Sequence, residues 1–423
     1  MKKVLIISYY YPPSTFVGGD RISYWVENLH LYGIYPIVIT RQWNKNQKDI
    51  FENVINNHKT IDKNEKFEIR RMPVKNSIRQ SLSKYRFLRL IQKILTVKEI
   101  LLSNYFIKSL PYSNFYKEAR NTIKENNIQT VIVSGRPFQS FIIGYYLKKE
   151  FEIFWVPDYR DQWTTYKREE SKSIFGNFLY KLDQRSELKW TSNADYFITV
   201  SDHWVNRINK YINKEGKVVM NGFHSFKPLR SKLDSNTFKI IYAGTFYVSQ
   251  PIDLFIDSIK KLQILFDNTK MELELIFIGT EIDVNGHDKL FQLTENISNV
   301  SFKPRMNKTE LNDEIERCDL LLLTSFENVK GWYPVKLFDY YATGKPILLI
   351  PSDEDVMEEF IKNVGCGYTC NSIKECVDLL KKLLNNKMKG VQPILCYNHE
   401  FAQRYSRKNQ TKLLAEILNP KEL

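Results

Sequence analysis

The chain has 423 residues and a net charge of +14 at pH 7, with 62 lysines and arginines against 48 aspartates and glutamates. This length exceeds one ordinary hydrophobic core and fits two domains of about 200 residues each. No apolar stretch approaches the roughly 20 residues of a membrane-spanning helix, and the five cysteines and six histidines lack metal-binding spacing. We therefore expect globular domains without a transmembrane helix, a disulfide framework or a protein-bound metal.

The first half of the chain alternates predicted strands and helices. The N-terminal apolar run is too short for a signal peptide, so it is predicted to be a buried strand of a cytoplasmic protein. Strands are predicted over 4–8, 36–40, 130–134, 153–156 and 196–200, and helices over 20–32, 139–149 and 172–189. Strands separated by helices indicate a parallel sheet with helices on both faces.

A basic segment interrupts this series. Nine lysines and arginines stand against the single acid Glu99, at positions 75, 79, 84, 86, 89, 93, 98, 108 and 117. Apolar residues lie between the cations with helical spacing, a pattern that favours an anionic membrane surface. A helix pair with a solvated basic face is the alternative. Nucleic acid is a weaker third candidate, because the sequence contains no recognised nucleic-acid-binding motif.

A second alternating series follows a polar, aperiodic linker at 225–236. Its predicted strands cover 239–242, 273–278, 300–302, 320–323 and 347–350, and the tail at 398–418 is predicted to be one helix. The chain is therefore predicted to be α/β, with two doubly wound, Rossmann-like domains in series. In such sheets ligands bind beyond the carboxyl ends of the strands, and a central cleft between the domains is the expected place.

The most informative stretch is 327–350, which predicts a loop, a helix starting at Pro334, a turn at Gly344 and a buried strand. It leaves three polar side chains at the loop and the helix N-terminus: Glu327, Lys336 and Asp339. Free N–H groups, an ammonium group and carboxylates suit a ligand with phosphates and sugar hydroxyls.

Other loops at strand ends carry further candidates. Gly18 and Gly19 allow close approach of the backbone to a ligand. The segment 156–163, VPDYRDQW, places carboxylates and an arginine after a strand, where Asp158 either meets a ligand or pairs internally with Arg160. The remaining candidates are Arg136, Gln139, Gly244, Thr245, Lys303 and Arg305.

Together these segments resemble the retaining, nucleotide-sugar-dependent glycosyltransferases of family 4, which have the GT-B fold. KVLIISYYYPPSTFVGGDR resembles the family's opening strand and glycine loop, and WVPDYRDQWT resembles a bacterial subgroup that makes surface polysaccharides. IIYAGT, LIFIGT, VSFKPRMNKTEL and YPVKLFDYYATGKPIL match the landmarks of the second domain in order.

The resemblance implies a metal-independent transferase that needs no cofactor and takes its sugar from a UDP- or GDP-linked donor. It implies an acceptor domain at 1–228 with the basic insertion at 75–118, a donor domain at 237–396, and a C-terminal helix at 397–423 that packs back towards the first domain. The implied donor-binding residues are Gly18, Gly19, Gly244, Thr245, Arg305, Glu327, Lys336, Leu337 and Asp339. The implied acceptor-binding residues are Arg21, Arg136, Gln139, Asp158, Arg160 and Asp161.

The resemblance implies that the reaction requires no dedicated catalytic base. If a side chain does take a catalytic role, Asp161 and Arg136 are the candidates. The acceptor is expected to be a glycan or a lipid-linked molecule in capsule, lipopolysaccharide or related biosynthesis, at the inner face of the cell membrane. The sequence departs from the family at Gly331, where the first of two acids is expected, and at 246–250, where a basic pair is expected. These departures keep two alternatives open: a non-catalytic sugar-nucleotide-binding partner of an assembly system, and a nucleotide-sugar epimerase on the same fold.

Overall fold

A computed structural model gives the conformation of most of the chain. It describes residues 1–14, 17–43, 58–74, 82, 86–103, 107, 113–166, 173–229, 236–266, 271–327, 329–391 and 395–419. Two compact units are present: Met1–Asn221 together with the chain from Arg407 onward, and Gly222–Ser406. Part of the predicted linker, 230–235, and most of the basic segment outside 86–103 and 113–117 lie outside the described residues.

The first unit is built on an eight-stranded sheet. Its strands are β1 (Lys2–Ser8), β2 (Ile34–Arg41), β3 (Thr60–Lys63), β4 (Glu68–Met72), β5 (Thr130–Ser134), β6 (Phe154–Tyr159), β7 (Phe197–Thr199) and β8 (Gly216–Val218). The spatial order is β3-β4-β2-β1-β5-β6-β7-β8. All neighbours are parallel except β3 and β4. The carboxyl ends of β1, β5 and β6 therefore lie side by side at one edge of the sheet.

Helices cover the faces of this sheet. They are α1 (Asp20–Asn28), α2 (Arg89–Ser103), α3 (Ser113–Asn126), α4 (Phe141–Glu150), α5 (Ile174–Thr191) and α6 (Asp202–Ile212). Every residue of β2 and β5 is buried, as expected for central parallel strands covered on both faces. Side-chain caps fix two helix starts: the Ser173 hydroxyl accepts from the N–H of Gly176 at α5, and Ser201 accepts from Trp204 at α6.

The second unit holds a six-stranded, wholly parallel sheet. Its strands are β9 (Thr237–Ala243), β10 (Glu272–Ile278), β11 (Val300–Lys303), β12 (Leu320–Leu323), β13 (Ile347–Leu349) and β14 (Gly367–Thr369). Their order is β11-β10-β9-β12-β13-β14. The helices are α7 (Asp253–Phe266), α8 (Val284–Thr294), α9 (Lys308–Glu316), α10 (Val335–Ala342), α11 (Val356–Val364), α12 (Ile373–Met388) and α13 (His399–Gln403).

The predicted helix–turn–strand unit is confirmed at α10 and β13. Pro334 is the residue that precedes α10, with an extended backbone, and the helix starts one residue later than predicted. Gly344 adopts a left-handed φ of 69°, which ends the helix without the steric penalty of a Cβ. All residues of β13 are buried.

The prediction of one helix over 398–418 is wrong. The tail forms α13 and a separate helix, α14 (Arg407–Leu418), with a break at 404–406. At the break, the N–H groups of Tyr405 and Ser406 each donate to a carbonyl three residues earlier, and the carbonyl of Tyr405 accepts a hydrogen bond from the N–H of Phe223 at 3.1 Å. Leu414 and Leu418 of α14 belong to the buried core of the first unit.

Two further differences concern strands. The strand predicted over 153–156 is β6, which continues to Tyr159 and so includes Asp158. Strands β3, β4, β8 and β14 were not predicted, because each is short and β3 is fully exposed, which removes the apolar signal. Four cysteines are buried and free, and Cys396 is exposed and free.

Candidate functional site

A buried ion pair lies where β1, β5 and β6 end in the first unit. Arg21 is 2% exposed and Asp158 is 0% exposed. Arg21 Nη2 lies 3.1 Å from Asp158 Oδ1, and the Ser134 hydroxyl donates to Asp158 Oδ2 at 2.8 Å. The suggestion that Asp158 pairs with Arg160 is wrong, because Arg21 and Ser134 occupy its two oxygens. The pair ties α1 to β6.

Arg160 instead binds the backbone of the loop after β5. Its Nη2 donates to the carbonyl oxygen of Arg136 at 3.1 Å, and its Nε donates to that of Gly135. A Cβ on Gly18 would lie 1.8 Å from Arg160 Nη1, so the loop after β1 presses directly on this guanidinium. Burial lowers the pKa of Arg160. Gly18 therefore serves close packing between two loops that were predicted to meet a ligand.

Arg136 and Asp161 are two accessible charged groups at this edge. Arg136 Nη2 lies 2.6 Å from Asp161 Oδ2, with side chains 46% and 37% exposed. Gln139 is half-buried in the short 3-10 turn that follows Arg136. The structure thus brings together Arg136 and Asp161, which have ionised groups open to solvent, and places Gln139 nearby in the chain.

An aromatic and cationic cluster at the same edge was not predicted. Tyr10 stacks on Trp43, with ring centroids 5.6 Å apart and an interplanar angle of 19°. The Arg41 guanidinium lies 4.4 Å from the Trp43 ring centroid and donates to the Tyr9 hydroxyl at 2.6 Å. Tyr9 and Tyr10 are partly exposed, and rings with a neighbouring cation offer a flat, amphipathic surface. The only feature of the sequence that pointed to Tyr9 and Tyr10 was their position directly after β1.

Glu187 of α5 holds the loop that carries Asp161 in place. It is 0% exposed, and its Oε2 accepts hydrogen bonds from the backbone N–H and the hydroxyl of Thr164. Tyr180 donates its hydroxyl to the Thr164 carbonyl at 2.6 Å. Burial raises the pKa of Glu187 to about 7 and that of Asp183, one turn earlier on α5, to about 6. Both carboxyl groups were missed, since a helix with mixed polarity gives no sign of which acids face inward.

In the second unit, Lys336 is the most unusual group. Its ammonium nitrogen is buried and has no hydrogen-bond partner among the described residues, while part of its side chain is exposed. The nitrogen lies 3.8 Å from the centroid of the Tyr242 ring, and a Cβ on Gly244 would lie 3.5 Å from it. Burial lowers the pKa of Lys336 to about 7. An unpaired buried cation is costly, and an anion beside it would offset that cost.

The surroundings of Lys336 are the end of β9 and the first turn of α10. Gly244 follows β9 with a φ of 109°, which favours glycine and leaves the strand end uncovered by a side chain. The Thr245 carbonyl accepts from the Tyr242 hydroxyl at 2.9 Å, so Thr245 and Tyr242 are fixed together. At the start of α10 the Leu337 N–H donates to the Pro334 carbonyl at 3.1 Å, and negative charge is favoured near this helix N-terminus.

Glu327 lines a cavity of about 380 Å³ beyond the ends of β12 and β13. Phe326, Lys330, Asp253 and Asp353 also line it. Lys330 Nζ donates to the Asp353 carbonyl at 2.6 Å, which fixes one wall. Glu327 itself is exposed. The cavity therefore combines carboxylates, an ammonium group and an aromatic ring.

The other predicted donor residues occupy different surroundings. Asp339 is exposed on α10, one turn after Lys336. Leu337 is 0% exposed and packs in the interior. Arg305 is exposed and follows the edge strand β11, two strands away from β9, with its backbone N–H bonded to Glu281 Oε1 at 2.8 Å. In the described part of the chain, no group of three or more His, Cys, Asp or Glu side chains is arranged to hold a metal ion.

Residues 226–392, a range that falls within the second unit, match the family model described as "Glycosyl transferases group 1". No curated protein sequence matches the chain at a significant level. Many solved structures are similar to it. A sucrose-phosphate synthase from Thermosynechococcus elongatus has a TM-score of 0.65 at 12% identity, covering 99% of this chain and 98% of the other.

Two other solved structures are similar over similar lengths. The Anabaena protein HepE in complex with UDP and glucose has a TM-score of 0.60 at 12% identity, covering 99% of this chain and 100% of the other. The structure described as "Trehalose-6-phosphate from E. coli bound with UDP-2-fluoro glucose" has a TM-score of 0.61 at 9% identity, covering 99% of both chains. At such low identities these likenesses establish the fold. The chain therefore has the two-domain GT-B fold, and its residues 226–392 match the group 1 glycosyl transferase family.

Proposed function

We propose that this protein transfers a sugar, with retention, from a nucleoside diphosphate sugar to a hydroxyl of a glycan or a lipid-linked acceptor. The proposed setting is surface polysaccharide or glycoconjugate biosynthesis in a bacterial cytoplasm, at the inner face of the membrane. UDP or GDP is the proposed carrier, and the proposed reaction uses no metal or organic cofactor. UDP-containing complexes of the similar Anabaena and E. coli proteins favour a nucleotide-sugar donor here.

The observation that carries the proposal is the buried, unpaired ammonium nitrogen of Lys336. A diphosphate beside it would supply the missing hydrogen-bond acceptors and the missing negative charge. The N-terminus of α10 would add to this, because the positive end of a helix dipole favours anions. Asp339, exposed one turn later, is the proposed partner of the ribose hydroxyls.

Further donor contacts are proposed on the basis of position. Gly244 and Thr245 lie next to Lys336 at the end of β9. Leu337 follows Lys336 in α10, and its backbone is the proposed contact. Arg305, at the end of the edge strand, is assigned to the outer part of the diphosphate. Glu327 is assigned to the ribose or sugar hydroxyls through the cavity that it lines. Gly18 and Gly19, in the loop after β1, are also proposed as donor-binding residues.

The proposed acceptor residues belong to the first unit. Arg136 and Asp161 offer accessible charges, and Gln139 offers an amide for hydroxyl groups. Tyr10 offers part of a ring face on which a sugar can pack. Arg21, Asp158 and Arg160 act on the acceptor indirectly in this proposal, because their polar groups already hold the loops together.

The proposed reaction breaks the bond between the sugar C1 and the diphosphate oxygen and forms a bond from C1 to the acceptor oxygen on the same face. The proton of the acceptor hydroxyl passes to the departing diphosphate, so no separate base is required. Lys336 stabilises the negative charge that develops on the diphosphate as the C1–O bond lengthens. Asp161 is the candidate for orienting the acceptor hydroxyl.

The test is a panel of UDP- and GDP-sugars with a membrane lipid extract, followed by nucleoside diphosphate release and glycolipid formation. Lys336→Met keeps the length of the side chain but removes its charge, and it should reduce turnover by at least a hundredfold. Asp339→Asn should reduce it less. Lys382→Met, at an exposed lysine of α12, is the matched control and should keep wild-type activity. Tight donor binding without turnover on any acceptor would favour the non-catalytic partner instead, and sugar isomerisation without transfer would favour the epimerase.

A further inference from the structure

An apolar stripe runs along the exposed side of α2. Leu90, Ile94 and Leu101 are 71%, 59% and 43% exposed, and their spacing of four and seven residues places them on one face. Phe87, in the turn just before the helix, is 82% exposed. A soluble surface normally scatters such side chains singly, so a continuous exposed stripe marks an interaction surface.

A second helix, distant in sequence, extends this stripe. The α5 helix packs against α2, and Lys93 Nζ of α2 lies 5.0 Å from the ring centroid of Phe175 at the start of α5. Ile174 and Phe178 on α5 are 94% and 47% exposed, and Leu188 is 44% exposed. Their spacings of four and ten residues, about one and nearly three helical turns, place them on one face of α5.

The charges beside both stripes are positive. Lys93 and Lys98 on α2, and Lys181 and Arg185 on α5, are exposed. Of the carboxylates of these two helices, Glu99 and Asp183 are half-buried and Glu187 is buried. Exposed apolar groups flanked by cations match the two components of an anionic bilayer surface, which has acyl chains beneath negatively charged headgroups.

We propose that α2 and α5 together form a docking surface for an anionic membrane, with Phe87, Leu90, Ile94, Ile174 and Phe178 entering the headgroup region. The helix α2 alone is a short amphipathic helix, and α5 adds the exposed apolar side chains of Ile174 and Phe178. No helix in the described part of the chain is long and apolar enough to cross a bilayer, so attachment through this surface is reversible and peripheral. This inference rests on the proposed function in one respect: docking would bring the enzyme to a lipid-linked acceptor.

Sedimentation of the full-length protein with vesicles tests this surface without using catalysis. Vesicles of phosphatidylglycerol and phosphatidylcholine should bind the protein, vesicles of phosphatidylcholine alone should bind it at least tenfold more weakly, and added salt should weaken binding to the anionic vesicles. The Leu90→Ser/Ile94→Ser and Ile174→Ser/Phe178→Ser variants should each lose at least tenfold in vesicle affinity. Lys98→Gln/Lys181→Gln should lose about fivefold for each cation removed.

Leu31→Ser is the matched control, because Leu31 is an exposed apolar residue of the same unit, 65% exposed, outside both helices. It should bind like the wild type. Equal binding to neutral vesicles, no binding, or wild-type binding by the Ile174→Ser/Phe178→Ser variant would overturn the proposal. A wild-type dimer that becomes a monomer in these variants, without vesicle binding, would assign the surface to a second copy of the chain. Turnover of the nucleotide-sugar donor, measured without vesicles, is expected to stay unchanged in all variants. Loss of the membrane-docking proposal is therefore distinguishable from loss of the proposed function.

Discussion

Replacing Glu187 by glutamine should make the first unit more stable at alkaline pH and should flatten the dependence of its stability on pH. Glu187 is wholly buried, and burial raises its pKa from 4.5 to about 7. One pH unit of pKa shift corresponds to about 1.4 kcal/mol, so ionisation of Glu187 in the folded protein costs about 3 kcal/mol.

The direction follows from proton binding. Below pH 4.5 the carboxyl group is protonated in both the folded and unfolded states, and its contribution to stability is fully present. Between pH 4.5 and 7 the unfolded chain releases the proton first, so the free energy of unfolding falls as pH rises, and the contribution is lost above pH 7. Asp183 titrates in the same direction with a pKa of about 6, so the wild-type curve includes both groups.

Glu187→Gln removes the larger part of this dependence while keeping an oxygen for the two hydrogen bonds from Thr164. At pH 8 the variant should exceed the wild type by up to about 3 kcal/mol in free energy of unfolding, and the two should converge near pH 4.5. Six of the seven tryptophans lie in the first unit, so urea denaturation followed by tryptophan fluorescence reports on this unit.

The control is Glu152→Gln, at an exposed carboxylate of the same unit, which should leave the pH curve unchanged. A Glu187→Gln variant that is less stable than the wild type at pH 8, or that keeps the wild-type slope between pH 5 and 8, would refute the reasoning. Such a result would mean that the carboxylate of Glu187 is stabilised by its hydrogen bonds more than burial destabilises it.

Three other predictions follow from the strand ends. Asp158→Asn leaves the buried guanidinium of Arg21 without its charge partner. It should lower the free energy of unfolding of the first unit by about 3–5 kcal/mol in the same fluorescence assay. A loss below 1 kcal/mol would show that the ion pair is not needed for stability. Gly244→Ala places a side chain on a backbone with a φ of 109° beside Lys336, and it should weaken UDP binding at least tenfold in calorimetry. An unchanged affinity would show that Gly244 is not part of the donor site. Because Lys336 has a pKa of about 7, UDP binding should take up a proton, and the affinity should fall by up to tenfold per pH unit as pH rises from 7 to 9. Calorimetry in buffers of different ionisation enthalpy detects the proton uptake. Lys336→Arg should remove this pH dependence.

The fold could be predicted largely from local patterns. The strand at 130–134 and the strand at 320–323 have the predicted bounds, since short apolar runs between helices are typical of buried parallel strands. The turn at Gly344 followed from glycine and the nearby proline. The break at 404–406 could not be predicted, because it depends on a hydrogen bond from Phe223, which is distant in sequence.

The candidate site was less predictable, because its chemistry depends on which polar groups meet in the folded chain. Lys336 was identified from the helix start that carries it, but its burial against Tyr242 required the structure. The segment around Asp158 was identified too, but the partner of this carboxylate is Arg21, 137 residues earlier. Glu187 carries no local signal, since an acid in an amphipathic helix is normally on the solvated face.

Calorimetric titration of the full-length protein with UDP and GDP, comparing the wild type with Lys336→Met, tests the account most directly. One of the two nucleotides should bind the wild type at micromolar concentrations, and Lys336→Met should weaken this binding at least thirtyfold. The Lys382→Met control should match the wild type. Equal binding by Lys336→Met and the wild type would contradict the assignment of the diphosphate to the end of β9 and the start of α10.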